Sequence, residues 1–153
     1  MSSDHPANNR GPMIGSLVRM AHSAMTQDYS RWLSNSSYKD IQPAHAAAIQ
    51  PLWENPEGVR LTTLAQTARI TKQSMGALID SLESNGYVER IEDDDDRRAS
   101  RIRLTAKGRK FARDVRTFAR DVEKRLAEQI GERRLENLRE ALQLIIATTA
   151  NDG

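Results

Sequence analysis

The chain has 153 residues, a formal net charge of +2 and an aromatic content of only 5%, which predicts one small domain with helical arms and an aliphatic core. It contains no cysteine, which excludes disulfides, thiolate metal sites and cysteine nucleophiles. Its apolar runs fall far short of the ~20 residues of a membrane span, and residues 1–12 do not read as a signal or transit peptide. We therefore expect a soluble, cytoplasmic, mainly α protein with no membrane partner and a disordered arm over residues 1–12.

Two amphipathic helices are predicted in the first third of the chain. Apolar residues recur at helical spacing over residues 13–33. Residues 43–53 form a second helical segment, with Pro43 in its first turn and with Pro51 bending or ending it. A very short strand over residues 59–61 is expected next.

Two short helices occupy the centre of the chain. The first begins at Thr62 or Thr63, and Thr63 with Gln66 matches a capping box. Thr71 is a suitable N-cap for the second, which covers residues 72–85 and stops before a glycine.

A charged hairpin follows these helices. Residues 87–92 and 100–104 predict its two strands, and the acidic run between them is too polar for a buried strand and marks a hairpin tip. Between residues 97 and 125 the chain carries twelve Lys or Arg against three acids. This excess favours a surface that faces phosphates, although a solvated helix face has a similar composition.

The C-terminal third is helical and carries a narrow apolar seam. Thr105 caps a helix over residues 106–128, whose apolar positions are spaced as in a coiled coil, and Gly131 separates it from a last helix. So small a central module cannot cover these apolar faces. A homodimer formed by the terminal helices is therefore predicted, with an intramolecular bundle as the alternative.

The fourth helix has side chains suited to the DNA major groove. Its outer face carries Gln73, Ser74 and Ala77 near the N-terminus. Gln73 can bond an adenine edge, Ser74 a base or phosphate, and Ala77 can touch a thymine methyl. Thr71 and Lys72 lie where phosphates favour a helix N-terminus. For this face alone, an ordinary polar helix surface is the alternative.

The arginines of the hairpin suit the minor groove. Arg97 or Arg98 is the candidate for insertion, because a narrow A·T tract concentrates negative potential there. Asp96 is the candidate for orienting a neighbouring arginine before it binds. Arg101 is a further candidate contact, and it shares a strand face with Arg103.

Residues 61–108 resemble the winged helix-turn-helix core of the multiple antibiotic resistance regulator (MarR) family. The segment reads LTTLAQTARITKQSMGALIDSLESNGYVERIEDDDDRRASRIRLTAKG. The residues that carry the resemblance are Leu64–Ala65, Thr71–Lys72–Gln73–Ser74, Leu82, Gly86–Tyr87–Val88–Glu89–Arg90, Asp96–Arg97–Arg98, and Leu104–Thr105 with Gly108.

The resemblance implies a fold with the order helix–helix–strand–helix–helix–strand–strand–helix–helix. Its DNA-binding domain is expected at residues 41–108, and dimerisation helices at residues 13–40 and 109–153. Residues 71–77 would enter the major groove of a pseudo-palindromic operator in double-stranded DNA, and the hairpin would act as a wing in the minor groove. The resemblance also implies a regulator, usually a repressor, released by a small aromatic or phenolic ligand.

Candidate ligand-binding residues are Trp32, Tyr38, His45 and Trp53, with further walls from Ile49 and Phe111. The rings would supply apolar walls and His45 would pair with an acidic ligand, although all of them also suit a core. No nucleophile–base pair, metal cluster or phosphate-binding glycine loop is present, so no enzyme, metal site or cofactor is predicted. The alternatives are a constitutive DNA-binding protein without an effector and a winged-helix module for protein contacts.

Overall fold

The computed structural model of the protein describes residues 11–93 and 100–150. Within them the helices are α1 (Ile14–Ser34), α2 (Ala46–Glu54), α3 (Leu61–Ala68), α4 (Lys72–Ser84), α5 (Ala106–Ile130) and α6 (Glu132–Ala150). The strands are β1 (Val59–Arg60), β2 (Val88–Glu92) and β3 (Ser100–Leu104), and a 3₁₀ turn (Pro43–His45) precedes α2. This is the mainly α winged-helix order that the sequence predicted. None of the helices in the described ranges is long and apolar enough to cross a membrane.

The three strands form one antiparallel sheet in the order β1–β3–β2. Ile102 of β3 lies opposite Val59 of β1 and Arg90 of β2. Ile102 and Leu104 are buried, whereas Arg103 between them is exposed, which is the alternation expected of a strand with one covered face. The hairpin is therefore attached to the core through one face of β3.

Two predicted helix starts are confirmed by side-chain caps. The Thr71 hydroxyl accepts a hydrogen bond from the Ser74 backbone N–H at 3.0 Å, and the Thr105 hydroxyl accepts one from the Gly108 N–H at 3.1 Å. Each bond satisfies one of the amides that the first turn of a helix leaves unpaired.

The predicted capping box at α3 is wrong. The helix begins at Leu61, and its N-cap is Arg60, which makes no side-chain capping bond. Thr63 is therefore already inside the first turn, where its hydroxyl cannot cap. The strand passes directly into the helix, so Leu61 is helical rather than part of β1. Pro51 does not end α2 either, because the helix continues to Glu54.

The core lies where α4 packs against α2, α3 and the sheet. Met75, Ile79 and Leu82 of α4 are fully buried, together with Leu64 of α3 and Leu52 of α2. Their spacing places them on one side of α4, which leaves the opposite side to solvent.

The terminal helices keep a large apolar surface exposed in this single chain. Ile14, Leu17 and Met20 of α1 are 66%, 42% and 57% exposed, and Leu138 and Leu144 of α6 are 49% and 67% exposed. Exposed apolar side chains are typical of interaction sites where they form a large continuous patch.

Gly108 allows α5 to start directly against the end of α4. A Cβ atom at this position would overlap the carbonyl oxygen of Tyr87, which accepts the Thr105 N–H at 3.0 Å. The backbone at Tyr87 cannot withdraw without breaking that bond, so only glycine fits here.

We predict that Gly108→Ala lowers the free energy of unfolding by about 3 kcal/mol, because the overlap falls on backbone that cannot move. Urea unfolding followed by circular dichroism measures the effect. Gly76→Ala is the control, since the nearest atom to its added Cβ is 4.0 Å away, and alanine is the better helix former by about 1 kcal/mol. Equal stability of Gly108→Ala and the parent protein would contradict the packing.

Candidate nucleic-acid interface

The N-terminal surface of α4 is exposed and carries only polar or small side chains. Lys72, Gln73, Ser74 and Ala77 are all exposed, whereas Met75 between them is fully buried. We call the exposed set, with Thr71, the recognition surface. Its donors and acceptors can therefore reach a partner without disturbing the core.

A tight connection sets the angle between α3 and α4. Arg69 has φ of 53° in the left-handed region, and the Ile70 N–H bonds the Ala65 carbonyl at 3.1 Å. Only two residues separate α3 from the N-cap of α4, Thr71. The two helices thus form a helix-turn-helix with the recognition surface on its outer side.

Arg90 of β2 holds the hairpin against the outer side of α4. Its guanidinium pairs with Asp80 at 2.7 Å and with Glu83. Asp80 and Glu83 lie three and six residues beyond Ala77, the last residue of the recognition surface. Their pairing with Arg90 therefore reduces the negative charge that this side of α4 would present to phosphates.

The base of the hairpin holds an ion pair that sequence reasoning missed. Asp93 belongs to the acidic run that predicts a hairpin tip, but its side chain is fully buried and accepts a bond from Arg60 Nε at 2.5 Å. Arg60 lies 33 residues earlier in the chain, and no local pattern in the sequence indicates that β1 comes beside the hairpin.

Arg101 lies on β3 beside this ion pair. Its Nη2 and Nε donate to the Gly58 carbonyl at 3.0 and 3.2 Å, and the residue is half-buried. Its guanidinium thus has a structural partner in the protein, and its predicted DNA contact stays a prediction. Asp96, Arg97 and Arg98 lie outside the described residues, so their predicted roles also stay predictions.

The four predicted ligand-binding residues do not line one common cavity. Trp32 and Tyr38 border an open cavity of about 780 Å³ between α1 and α5. Trp53 and Ile49 border a different cavity of about 480 Å³ between α2 and α5. His45 is not among the residues that line either of these.

His45 is buried and already bonded. Its Nδ1 accepts the Gln42 backbone N–H at 3.0 Å. Burial lowers the pKa of the imidazole, and the nearby Asp40 carboxylate opposes that shift without reversing it. The neutral ring is therefore favoured in the folded protein, which does not suit His45 as the partner of an acidic ligand.

Tyr38 belongs to a polar cluster at the start of α5. Its hydroxyl donates to Asp114 and accepts from Lys110 Nζ at 3.0 Å, and Lys110 also pairs with Asp114 at 2.9 Å. The hydrogen bond from Tyr38, followed by the bond from Lys110, lowers the pKa of Asp114. This cluster ties the segment after α1 to α5.

A second cluster ties the same segment to the end of α4. The Tyr87 hydroxyl donates to Asp40 at 2.8 Å, and Lys107 Nζ lies 4.1 Å from the centroid of the Tyr87 ring. Burial, and then the bond to Asp40, raise the pKa of Tyr87, so it remains a neutral donor. Among the described residues there is no group of three or more carboxylates and histidines placed to hold a metal ion.

A helix-turn-helix joined to a three-stranded antiparallel sheet with a hairpin defines the class of winged-helix proteins. Comparisons with known proteins agree with this class. A sequence model of the MarR family matches residues 39–99. No curated protein matches the sequence.

Solved structures resemble most of the chain. FabT of Streptococcus pneumoniae, solved in complex with DNA, is 20% identical with a TM-score of 0.80 over 92% of this chain and 97% of that one. The repressor CouR, solved on a 23-mer DNA duplex, is 28% identical with a TM-score of 0.72 over 90% and 92%. A MarR regulator from Methanosarcina mazei Go1 is 21% identical with a TM-score of 0.80 over 92% and 98%.

Residues 39–99 of the chain form a MarR-family domain. The protein is accordingly a DNA-binding transcription regulator and not an enzyme.

We predict that stability falls more steeply with acid in the parent protein than in His45→Asn. Because burial lowers the folded-state pKa of His45, the unfolded chain binds the proton more readily, and stability is lost as the pH drops below about 6.5. Asparagine can still accept the Gln42 N–H but does not titrate. Urea unfolding at pH 7.5 and 5.5 measures how the free energy of unfolding changes with pH in the parent protein and in His45→Asn. His22→Asn, at an exposed position of α1, is the control for the loss of one imidazole. Identical slopes for the parent protein and His45→Asn would refute the prediction.

Proposed function

We propose that the protein is a homodimeric repressor of a pseudo-palindromic operator and that a small aromatic or phenolic ligand releases it. The observation that carries the proposal is the recognition surface of α4. It is exposed, amide- and hydroxyl-bearing and located at a capped helix N-terminus beside a hairpin.

The side chains of the recognition surface support a proposed contact with the major groove. Small side chains at Ser74 and Ala77 allow a helix to approach base edges closely, while the exposed Gln73 amide offers a donor and an acceptor to adenine. Lys72 and the N-terminal end of α4 are proposed to contact phosphates, which a helix N-terminus favours. On the hairpin, Arg97 and Arg98 are proposed for the minor groove from sequence.

The proposed dimer would bury the exposed apolar surface of α1 and α6. Leu17, Met20 and Leu144 are each more than two-fifths exposed in the single chain. A second copy of the same surface would remove them from water, and a two-fold dimer would present two recognition surfaces to two half-sites. CouR is described as a transcriptional repressor, which supports the repressing role proposed here. Acting on chromosomal DNA would place the protein in the cytoplasm.

The cavity between α2 and α5 is the better candidate for the effector. It is lined by Tyr29, Ile49, Trp53 and Val115, and its volume of about 480 Å³ suits a small aromatic molecule. Arg116 lies over the Trp53 ring, 5.2 Å from its centroid. A phenolate or carboxylate on the ligand would meet this guanidinium at the edge of the cavity.

Sequence-specific DNA binding is the decisive test. We expect the protein to select an inverted repeat from random duplexes. Gln73→Ala should then lose about tenfold in preference for the selected site, since one bidentate base contact is worth about 1–3 kcal/mol. Fluorescence anisotropy at two salt concentrations measures this.

Two further variants test where DNA binds and which contacts depend on charge. Ser84→Ala, at the far end of α4, should bind as the parent protein does. Arg98→Ala should reduce the slope of log affinity against log salt by about 1, because one fewer counterion is released. No DNA affinity even at low salt would instead support a winged-helix module for protein contacts.

Effector binding is tested by thermal shift with a panel of phenolic and benzoic acids. We predict that a binding member raises the Tm of the parent protein, because it binds only the folded state. Trp53→Leu and Arg116→Gln should lose this shift. Arg120→Gln, one turn along α5 and with the same change in charge, should keep it. If no compound raises the Tm, a constitutive DNA-binding protein becomes the better description.

A further inference from the structure

We infer that Arg60 and Asp93 are positioning residues for DNA recognition: their ion pair sets the direction of the hairpin relative to the recognition surface. This inference rests on the proposed function. We call the two residues the anchoring ion pair.

The anchoring ion pair joins the two edge strands of the sheet. Arg60 is the last residue of β1, and Asp93 directly follows the last residue of β2. Because β3 lies between these strands, which are about 10 Å apart, the side chains of Arg60 and Asp93 must both extend to meet. A contact of this kind restrains the whole hairpin rather than one ladder of hydrogen bonds.

Arg101 on the central strand strengthens the same connection. It lies opposite Arg60 in one ladder and opposite Ile91 in the other, so the three side chains share one sheet face. Its guanidinium turns to the Gly58 carbonyl, just before β1. Two arginines therefore connect the hairpin to the β1 segment. Arg60 of β1 bonds Asp93 after β2, and Arg101 of β3 bonds the Gly58 carbonyl before β1.

The hairpin needs such restraints because β1 is very short. Only two residue pairs join β1 to β3, and a two-stranded hairpin alone is marginal in water. Burial also makes Asp93 depend on Arg60. The side chain of Asp93 is fully buried, so its carboxylate loses much of its stabilisation if Arg60 is removed.

The anchoring ion pair also reaches the helix-turn-helix. Arg60 is the N-cap residue of α3, and α3 is followed by α4 after the turn at Arg69. One residue thus holds the hairpin and begins the helix pair that presents the recognition surface. Its removal should change how the hairpin is aimed while leaving the recognition surface in place.

The sheet supplies a matched control. Arg103 and Glu89 form an ion pair at 2.7 Å that stays within the hairpin and does not reach β1. Arg103→Gln changes the charge as Arg60→Gln does, and Glu89→Gln matches Asp93→Asn. Each variant is measured at a temperature where circular dichroism shows it fully folded.

The experiment compares affinity for the selected operator with affinity for the same duplex after its outermost base pairs are replaced. We expect Arg60→Gln and Asp93→Asn to weaken operator binding about tenfold and to lose the preference for the native flanks. The double variant should be no weaker than either single one, because both remove the same ion pair. Arg103→Gln and Glu89→Gln should keep the flank preference.

Three outcomes would overturn the inference. The first is that Arg60→Gln and Asp93→Asn keep the preference for the native flanks. The second is that Arg103→Gln and Glu89→Gln lose as much affinity and flank preference as these two variants. The third is that the losses of affinity of the two single variants multiply in the double variant. If Asp93→Asn does not fold, the comparison of Arg60→Gln with Arg103→Gln decides alone. A parent protein that selects no DNA sequence refutes the proposed function instead, which separates the two failures.

Discussion

The contact between the start of α5 and the backbone of Tyr87 supports the rest of the structure. Tyr87 is fully buried, its N–H bonds Leu82 at the end of α4, and its carbonyl accepts the Thr105 N–H. The absence of a side chain at Gly108 lets α5 begin against this backbone. The positions of α4, the hairpin and α5 therefore depend on one junction. At position 108 of this junction there is room only for glycine.

The same junction connects the DNA-facing half of the chain with the helices of the terminal half. The Tyr87 ring packs edge-on against Phe111 of α5 at 5.6 Å between centroids, and Phe111 packs against Tyr38 at 4.7 Å. Tyr38 and Trp32 lie 6.0 Å apart, which extends the ring contacts to α1. A change in the relative position of α1 and α5 would thus reach the end of α4 through packed rings and not through a flexible linker.

Several acidic residues of this protein are held in position by ion pairs with arginine or lysine. Asp80 and Glu83 pair with Arg90, Asp93 with Arg60, and Asp114 with Lys110. Exposed pairs of this kind contribute little to stability, but the buried carboxylate of Asp93 requires its partner. The acidic run near the hairpin is therefore not uniformly a solvated tip, since its first aspartate is a structural residue.

The sequence was enough to predict the order of helices and strands, the caps at Thr71 and Thr105 and the polar outer side of α4, because each depends on local spacing. It also predicted the winged-helix class, since these local signals follow one another in a specific order. It did not predict the start of α3, where the strand runs directly into the helix and replaces the expected cap.

The packing of helices and strands set which distant residues meet. It brought Arg60 to Asp93, gave Arg101 a partner in the turn before β1, buried His45 and divided the aromatic candidates between two cavities. Contacts of this kind depend on how strands and helices pack in three dimensions, and residues 33 or more apart carry no periodic signal of their meeting.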